Sequence, residues 1–348
     1  MPDMPKTWAG TQPCRAVANI PETESDSMRL IMFGTGPFAV PTFKSLLDSS
    51  NEVIALVTRP ITDSGKRRKT AENPTRDVAT NQAFPILDPS NVNAPDSIKQ
   101  LVELKADLFV VCDYGQILSR ECLAASRLGG INLHGSLLPK YRGAAPINWA
   151  IYHGEPVTGI TIIHMTAKLD GGPCLVKAET TIGDTETAED IEPRLAQMGV
   201  KPVHDAIAML DSWDGQSPIG TLQDRRLATK APRLQKSDGQ IVWTRSAVQI
   251  SNQIRAFQPW PGTFSSWHSD NLKQPLRLIF HRADALENPE KSATMTPGQV
   301  VLCDKQQLLI QTGDGLLALT MVQPAGKKAM PIADFLRGRS PETGDIFR

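Results

Sequence analysis

Short apolar segments alternate with segments of helical periodicity from residue 29 onward. In order, these strand-like and helical segments lie at 29–33, about 39–49, 53–58, 75–82, 96–104, 108–112, 143–152, 159–165 and 187–212. Such alternation is typical of a mostly parallel sheet with helices on both faces, in which ligands bind at the carboxyl ends of the strands. The sequence therefore predicts an α/β fold for this part of the chain.

The periodicity changes near residue 214. Gly and Pro interrupt 215–220, and residues 222–236 hold five basic side chains against one acid, which is typical of a linker or crossover. Beyond a predicted helix at about 247–256, short β-like runs at 276–281, 298–302, 308–312 and 316–322 fit a small antiparallel barrel. We therefore predict a first domain at 28–214, a linker at 215–236 and a barrel domain at 237–348.

Composition excludes several classes of protein. Residues 1–27 contain four prolines and end in an acidic stretch without the apolar core of a signal peptide, so we predict a disordered extension there. No apolar stretch reaches the roughly 20 residues that span a bilayer. The five cysteines are dispersed, as in reduced intracellular proteins, and a soluble cytoplasmic protein is expected. The formal net charge is zero, so any surface for nucleic acid must be local.

Residues 131–139 combine an amide and an imidazole at strand spacing. Asn132 and His134 are two residues apart, so both side chains leave the same face if 131–133 ends a strand. Side by side, they can donate hydrogen bonds to an oxygen that becomes negative during attack on a carbonyl. Asp170, in a Leu-Asp-Gly-Gly turn, can orient and charge the histidine. These residues indicate acyl-type transfer to a nucleophile, although on their own they also allow a turn with a buried histidine.

Further motifs accompany this site in a fixed order. They are Pro-Lys-Tyr-Arg-Gly-Ala-Ala-Pro-Ile-Asn-Trp at 139–149, Thr-Gly-Ile-Thr at 158–161, Arg-Ala-Phe-Gln-Pro-Trp-Pro-Gly at 255–262 and Gln-Pro-Ala-Gly-Lys-Lys-Ala-Met at 323–330. With them, the chain from about residue 28 resembles the folate-dependent formyltransferases, and among these most closely the methionyl-tRNA formyltransferases. The resemblance implies a Rossmann-like domain followed by an OB-like barrel.

The resemblance also implies the reaction and the residues that perform it. The formyl donor would be 10-formyltetrahydrofolate, and the acceptor would be the α-amine of methionyl initiator tRNA. The catalytic residues would be Asn132, His134 and Asp170. A monomer is expected on the same basis.

Two sets of residues are assigned to the folate by the resemblance. One matches the segment that lines the folate site in relatives, and the other, in the loop after the strand at 108–112, is expected to form the opposite wall. The first set is Ser136, Leu137, Leu138 and Pro139, and the second is Tyr114, Gly115 and Ile117.

Basic residues in two places are assigned to the tRNA. Relatives carry a basic loop after the second strand that enters the acceptor stem, and here it contains Lys66, Arg67, Arg68 and Lys69. Where relatives often have Arg-Gly-Lys-Lys, this chain reads Gly-Lys-Arg-Arg at 65–68. The sequence therefore does not identify which basic residue takes the role of the principal arginine. Lys327 and Lys328 lie in a predicted turn of the barrel and, with the basic linker, can form a track for an RNA backbone.

Other functions fit parts of the pattern. A formyltransferase acting on a small amine, such as an amino sugar or the purine precursor, would keep the catalytic residues but would not need the basic segments. A non-catalytic RNA-binding protein would not need the catalytic residues intact. A nicotinamide enzyme is suggested by the G-x-G-x-x-A turn at 34–39, but no acid follows the strand at 53–58 and Pro37 removes an amide donor. No nicotinamide is therefore expected.

A zinc deaminase site is one ligand short. His153 and Glu155 fit its H-x-E element, and Cys174 follows a proline, but Lys177 stands where the second cysteine is required. No metal is expected.

Overall fold

The computed structural model describes residues 27–61, 72–288, 295–339 and 341–348. The predicted extension, apart from Ser27, and the basic loop residues Lys66, Arg67, Arg68 and Lys69 lie outside these ranges. The elements of the first domain are β1 (Arg29–Gly34), α1 (Val40–Leu47), β2 (Glu52–Val57), α2 (Pro74–Asn81), β3 (Ile86–Leu87), α3 (Pro95–Glu103), β4 (Leu108–Cys112), α4 (Arg120–Leu123), β5 (Gly130–His134), β6 (Arg142–Gly143), α5 (Pro146–Tyr152), β7 (Val157–His164), β8 (Cys174–Thr181), α6 (Ala188–Met198) and α7 (Val200–Asp211).

The main sheet has the strand order β3-β2-β1-β4-β5-β7-β8. Strands β1 to β5 are parallel, whereas β7 and β8 are antiparallel to their neighbours. Alternate residues of β1 enter the cores on the two faces, Leu30 and Met32 on one and Ile31 and Phe33 on the other. The order reverses between β1 and β4, which is the point where sheets of this kind place a ligand crevice.

Local sequence signals account for several helix boundaries. Proline stands in the first turn of α2, α3 and α5, where the missing N–H would have no helical partner. A capping box begins α6, since Thr187 Oγ1 accepts from the Asp190 amide and the Asp190 carboxylate accepts from the Thr187 amide. Gly199 separates α6 from α7, and a Cβ there would lie 2.7 Å from Leu133 Cδ2, so a glycine lets this bend pack directly on β5.

The second domain is an antiparallel, nearly closed barrel, with one helix before its first strand and another before its last strand. The linker contains β9 (Lys230–Ala231), and the domain contains α8 (Ala247–Ala256), β10 (Thr263–His268), β11 (Leu276–Leu286), β12 (Val300–Cys303), β13 (Leu308–Gln311), β14 (Leu316–Pro324), β15 (Met330–Pro331), α9 (Ile332–Gly338) and β16 (Ile346–Phe347). The strand order is β12-β13-β14-β11-β10-β16, with β15 on β14. A bridge between Gln299 and Ile346 brings the two edges together.

The linker and α8 pack on the first domain. β9 pairs with β6 in parallel, with Lys230 opposite Arg142. Trp149 Nε1 donates to the Pro232 carbonyl at 2.8 Å. On the neighbouring surface, α5 packs against α8, and Asn148 Nδ2 donates to the carbonyl of the last α8 residue at 2.7 Å. The second domain is therefore joined to the part of the first domain that follows β5.

The predicted fold class, a mostly parallel sheet domain followed by a small antiparallel barrel, is confirmed. Among the longer elements, strands β8 and β10 and helix α9 were not predicted from the sequence, and β11 is longer than predicted. The short helix α4 and the two-residue strands were not predicted either. None of the helices in the described ranges is long and apolar enough to cross a membrane.

Candidate active site

Asn132 and His134 project from the same face of β5, as their spacing predicts. Their neighbours Ile131 and Leu133 belong to the core on the other face. The strand pairs with β4 on one side and with antiparallel β7 on the other, so Asn132 lies between Val111 and Ile163. Both side chains thus stand at the carboxyl end of the last parallel strand of the sheet.

One hydrogen bond fixes the protonation pattern of the His134 ring. Its Nε2 lies 2.9 Å from the Tyr141 carbonyl oxygen, and because a carbonyl can only accept, Nε2 carries the proton. In the neutral ring Nδ1 is therefore unprotonated, and it lies 3.8 Å from Asp170 Oδ2. Both side chains are largely buried, at 6% and 9% exposure. Nδ1 is thus the ring atom that can accept a proton, and Asp170 is placed to stabilise the resulting imidazolium.

Asp170 is held by contacts from distant segments of the chain. Its Oδ2 accepts the Gly143 N–H at 2.8 Å. From the linker, Gln223 Nε2 donates to the carbonyls of Asp170 and Gly172 at 2.8 and 2.7 Å, and Gln223 Oε1 accepts from the Arg142 guanidinium. The backbone of Asp170 has φ 47°, a left-handed conformation that aspartate adopts more readily than most residues.

A cavity of about 660 Å³ adjoins the three residues. Its volume is in the range of small-molecule sites. The wall is formed by the carboxyl ends of β1, β4 and β5, the start of α5, the turn between β7 and β8, helix α6, the linker and the segment after α8. The lining includes Phe38, Arg59, Asp113, Asn132, His134, Lys168, Asp170, Glu192, Arg233 and Trp260.

Two further carboxylates line this cavity. Asp113 follows β4 and is open to the cavity but enclosed by protein elsewhere, and this burial raises its pKa to about 6 against the opposing effect of the Arg59 guanidinium. Burial also raises the pKa of Glu192, and the negative charge of Asp113 contributes to that shift. The cavity therefore contains acids that hold a proton more readily than ordinary carboxylates do.

Asp113 also explains the glycine-rich turn after β1. A Cβ on Gly36 would lie 1.8 Å from Asp113 Oδ2, so only glycine leaves room for this carboxylate. The Thr35 amide donates to the Asp113 carbonyl at 3.1 Å and fixes the two loops together. A diphosphate bound at this turn would meet a carboxylate, which disfavours the nicotinamide function that the G-x-G-x-x-A spacing allows.

The structure separates the two sets of residues predicted to bind folate. Tyr114, Gly115 and Ile117 line the cavity beside the catalytic candidates, and Ile117 is 61% exposed. The set Ser136, Leu137, Leu138 and Pro139 is not part of that lining; its last two residues border a separate cavity of about 320 Å³. Ser136 Oγ donates to the Lys140 carbonyl at 2.7 Å, so this segment braces the loop that follows His134. Its contact with folate stays a prediction.

The described basic residues of the linker and of the barrel differ in their surroundings. Lys327 and Lys328 are exposed in the turn between β14 and β15. Arg226 pairs with Asp224 at 2.7 Å, whereas Arg233, also in the linker, lines the cavity. Because Lys66, Arg67, Arg68 and Lys69 lie outside the described ranges, the basic loop stays a prediction.

The residues considered for zinc have structural contacts. The His153 ring stacks on Tyr141 and Trp149, with centroids 5.7 and 5.8 Å apart. Glu155 accepts from Lys140 Nζ and from the Tyr141 hydroxyl. Across the part of the chain that the structure describes, no group of three His, Cys, Asp or Glu side chains is arranged to hold a metal ion.

Several cavity residues were not predicted from the sequence. Phe38 lies in the G-x-G-x-x-A turn, which suggested only a dinucleotide, and Arg233 lies in the basic linker, which suggested only an RNA backbone. Glu192 lies on a helix with no recognisable motif for a ligand. Trp260 lies in the Arg-Ala-Phe-Gln-Pro-Trp-Pro-Gly run, which indicated the family resemblance but did not show that its residues line the cavity. These residues meet only because the linker and the segment after α8 close one side of the cavity.

Two family models match the chain. One, described as formyl transferase, matches residues 28–207, and the other, described as formyl transferase, C-terminal domain, matches residues 233–340. The methionyl-tRNA formyltransferase of Rhodopirellula baltica is 42% identical over 331 residues, which are 93% of this chain and 98% of that protein. The methionyl-tRNA formyltransferase of Geobacter sulfurreducens is 37% identical over 317 residues, or 91% and 96% of the two chains.

Solved structures share the fold at low sequence identity. An N-formyltransferase from Helicobacter canadensis, in complex with folinic acid and dTDP-3-aminofucose, has a TM-score of 0.60 at 16% identity, covering 84% of this chain and 99% of that chain. HypX from Aquifex aeolicus, in complex with tetrahydrofolic acid, has a TM-score of 0.57 at 15% identity, covering 92% and 51%. At these identities the likeness concerns the fold alone.

Proposed function

The chain belongs to the formyl transferase family, and we propose that it transfers the formyl group of 10-formyltetrahydrofolate to the α-amine of methionyl initiator tRNA. The product is N-formylmethionyl-tRNA for translation initiation. The observation that carries this proposal is the meeting of Asn132, His134 and Asp170 at one cavity, in a chain that matches methionyl-tRNA formyltransferases over nearly its whole length. We propose further that the protein acts as a monomer in the cytoplasm.

We assign different parts of the chemistry to the two β5 side chains. The amine attacks the formyl carbon as the neutral base, and negative charge develops on the formyl oxygen. Asn132 donates its amide N–H to that oxygen. His134 enters with Nδ1 unprotonated, because Nε2 donates to Tyr141, and so takes a proton from the attacking nitrogen, directly or through water. The protonated ring is then a donor at Nδ1, and Asp170 stabilises its charge. The tetrahedral intermediate collapses by breaking the bond between the formyl carbon and the folate nitrogen, and that nitrogen takes up the proton from His134, directly or through water.

The co-substrate fits the cavity in size and in the chemistry of its lining. A volume of about 660 Å³ is enough for a small ligand, and the wall offers the exposed side chain of Ile117 and a small exposed part of the otherwise buried Phe38 to a flat heterocycle. We assign this wall, including Tyr114 and Gly115, to the folate. The Tyr114 ring packs edge-on against Phe33 with centroids 5.3 Å apart, which leaves its backbone to the ligand.

For the tRNA, we propose contacts from the basic loop and from the barrel. Lysine and arginine side chains would bind phosphates and position the acceptor stem, and only some would read bases. The loop residues are Lys66, Arg67, Arg68 and Lys69, and the barrel residues are Lys327 and Lys328.

The test is formyl transfer from 10-formyltetrahydrofolate by the purified full chain to three acceptors. These are methionylated initiator tRNA, methionylated elongator tRNA and a nucleotide-linked amino sugar. We expect rapid transfer to the initiator alone. Transfer only to the amino sugar would keep the chemistry of Asn132, His134 and Asp170 but would overturn the acceptor, and RNA binding without transfer would overturn the enzymatic function.

A further inference from the structure

Trp260 is an exposed aromatic residue on the wall of the reaction cavity. Its side chain is 53% exposed. Among the described residues, all the other large hydrophobic side chains that are exposed are aliphatic. The other described tryptophans each donate the indole N–H to a protein acceptor; they are Trp149, Trp213, Trp243 and Trp267. Within the described residues Trp260 donates to none and pairs with no other ring. Its indole is therefore free for a ligand, although exposing it to water is unfavourable.

The backbone that carries Trp260 is firmly held. Gln258 Nε2 donates to the carbonyls of Ile254 and His281, at 2.9 and 2.7 Å, which ties the segment to α8 and to β11. The Gly262 amide donates to the Phe257 carbonyl at 2.9 Å and closes the turn around the tryptophan. The indole is thus presented on a rigid support, as a binding surface requires.

Two cations line the same cavity. Arg233 and Lys168 border it, and neither side chain forms an ion pair or a hydrogen bond in the portion of the chain that the structure describes. Proteins bind an unpaired nucleotide by combining an aromatic face that stacks on the base with basic side chains that attract the phosphate, and the lining of this cavity offers both.

We propose that Trp260 stacks on the adenine of the 3′-terminal nucleoside of the tRNA while the attached amino acid lies against Asn132, His134 and Asp170. Arg233 takes up the adjoining phosphate. The inference rests on the proposed function, in that the acceptor is an aminoacylated RNA. Because the amino acid is esterified to the terminal ribose, the amine and the terminal base are never more than one nucleoside apart. A cavity that receives the amine must therefore also accommodate the base, and Trp260 supplies the matching surface.

The first experiment compares an acceptor that has the nucleoside with one that lacks it. Trp260→Ala, Trp260→Leu and Trp260→Phe are assayed with methionylated initiator tRNA and with methionine amide, which keeps the α-amine alone. We expect kcat/KM for the tRNA to fall roughly 5- to 150-fold in the Ala and Leu variants and far less in the Phe variant, which keeps a ring. The kcat/KM for methionine amide and the KM for 10-formyltetrahydrofolate should stay unchanged.

Other outcomes would overturn the proposal in distinct ways. Equal losses with both acceptors would mean that Trp260 supports the fold of the site. A raised KM for 10-formyltetrahydrofolate would mean that the ring stacks on the folate. Full activity of Trp260→Ala on the tRNA would mean that the indole binds neither.

A binding experiment separates this inference from the proposed function. A short RNA ending in cytidine, cytidine and adenosine is compared with the same RNA carrying an abasic 3′ nucleotide, by fluorescence anisotropy. The wild-type protein should prefer the RNA with adenine, and Trp260→Ala should not. If the protein formylates only small amines yet shows this preference, the proposed function fails and the stacking surface stands. If the preference is absent, the stacking surface fails even when methionyl-tRNA is formylated.

The role of Arg233 has its own control. Arg233→Ala should weaken binding of the RNA and reduce the slope of log affinity against log salt by about 0.7, the value for one neutralised phosphate on a single strand. Lys99→Ala removes an exposed cation from α3, outside the cavity lining, and should change neither. If the salt slope of Arg233→Ala equals that of the control variant, Arg233 does not bind a phosphate.

Discussion

Asp170 combines a charge with a structural hydrogen bond, and substitution can separate the two. Asp170→Asn keeps a carbonyl oxygen that can accept the Gly143 N–H but removes the charge that faces His134 Nδ1. We expect kcat to fall roughly 10²- to 10⁴-fold while the thermal midpoint stays near that of the wild type. Asp170→Ala should lose as much activity and also lower the midpoint, because the Gly143 amide loses its acceptor. Single-turnover formylation and thermal denaturation measure both, and wild-type turnover in Asp170→Asn would refute the charge role.

Asn132 offers a second test of the proposed chemistry. Because its amide would bind the formyl oxygen most strongly when that oxygen is negative, Asn132→Ala should lower kcat roughly 10²- to 10³-fold and leave both KM values nearly unchanged. Asn132→Asp has nearly the same size but places an acceptor where a donor is needed, and it should be at least as damaging. A loss confined to KM would assign Asn132 to substrate binding instead.

Asp113 should make stability depend on pH. Its folded-state pKa of about 6 is above the 3.8 of an unperturbed aspartate, because burial outweighs the attraction of Arg59. The protonated form thus favours folding at low pH, and this contribution is lost as the pH rises through about 6. Asp113→Asn cannot ionise, so its thermal midpoint should exceed that of the wild type at about pH 8 and approach it toward about pH 4. Scanning calorimetry across this range measures the difference, and a constant offset would contradict the assignment.

At the scale of elements, the linker positions the turn that carries Asp170, one of the proposed catalytic residues. Gln223 binds the carbonyls of Asp170 and Gly172 and the guanidinium of Arg142, and so sets the turn that carries the carboxylate. Gln223→Ala should lower kcat by up to roughly 100-fold, the effect of misplacing a reacting group by about 1 Å, with little change in KM for either substrate. Gln216→Ala is the matched control, since it removes an exposed linker side chain that makes no hydrogen bond to any residue the structure describes. Equal kinetics of the two variants would show that the linker only connects the domains.

Sequence periodicity identified the buried strands better than the edge strands or the two-residue strands that join distant segments. Strands β1, β2 and β4 are continuous apolar runs between helices, so their patterns are unambiguous. Strand β8, at the sheet edge, mixes Lys, Glu and Thr with apolar residues, and β10 is rich in serine. The two-residue strands β6 and β9 exist only because the linker folds back on the first domain. No local pattern could reveal that pairing.

The site could be predicted to a similar extent. Two-residue spacing on a strand was sufficient to place Asn132 and His134 on one face, because side chains alternate along any strand. The position of Asp170 rested on resemblance, since its approach depends on Gly143 and Gln223 from other segments. Apolar character alone could not tell which cavity Leu138 and Pro139 would border. Which cavity an apolar side chain borders depends on how distant segments pack against each other.

On the scale of the whole molecule, both domains build the reaction cavity. The Tyr152 ring on α5 stacks on Phe257 with centroids 5.2 Å apart, and the Arg245 guanidinium lies 4.5 Å above the same Tyr152 ring. Arg255, on α8, donates to the carbonyls of Gly183 and Glu186 in the first domain. This interface holds the segment that bears Trp260 against the part of the first domain that bears the proposed catalytic side chains. The second domain thus contributes to the cavity that we propose as the active site, and it is also a candidate RNA-binding module.

A zero net charge gives the chain no overall attraction for RNA, so binding must come from local cations. Lys327 and Lys328 are exposed in one turn of the barrel and form no ion pair in the described ranges. The double variant Lys327→Ala and Lys328→Ala should raise KM for methionyl-tRNA, leave kcat unchanged, and reduce the slope of log KM against log salt by about 0.7–0.9 for each phosphate that the variant no longer neutralises.

A charge-matched double variant on the same barrel makes that comparison specific. Lys273→Ala with Lys305→Ala removes two exposed cations from other parts of the second domain and should leave both KM and its salt slope as in the wild type. The salt slopes are measured between about 50 and 200 mM salt. Equal slopes for the two double variants would mean that Lys327 and Lys328 contribute only non-specific electrostatic attraction for the tRNA. A difference confined to the first double variant would place a phosphate at this turn and would extend the tRNA-binding surface from the cavity to the barrel.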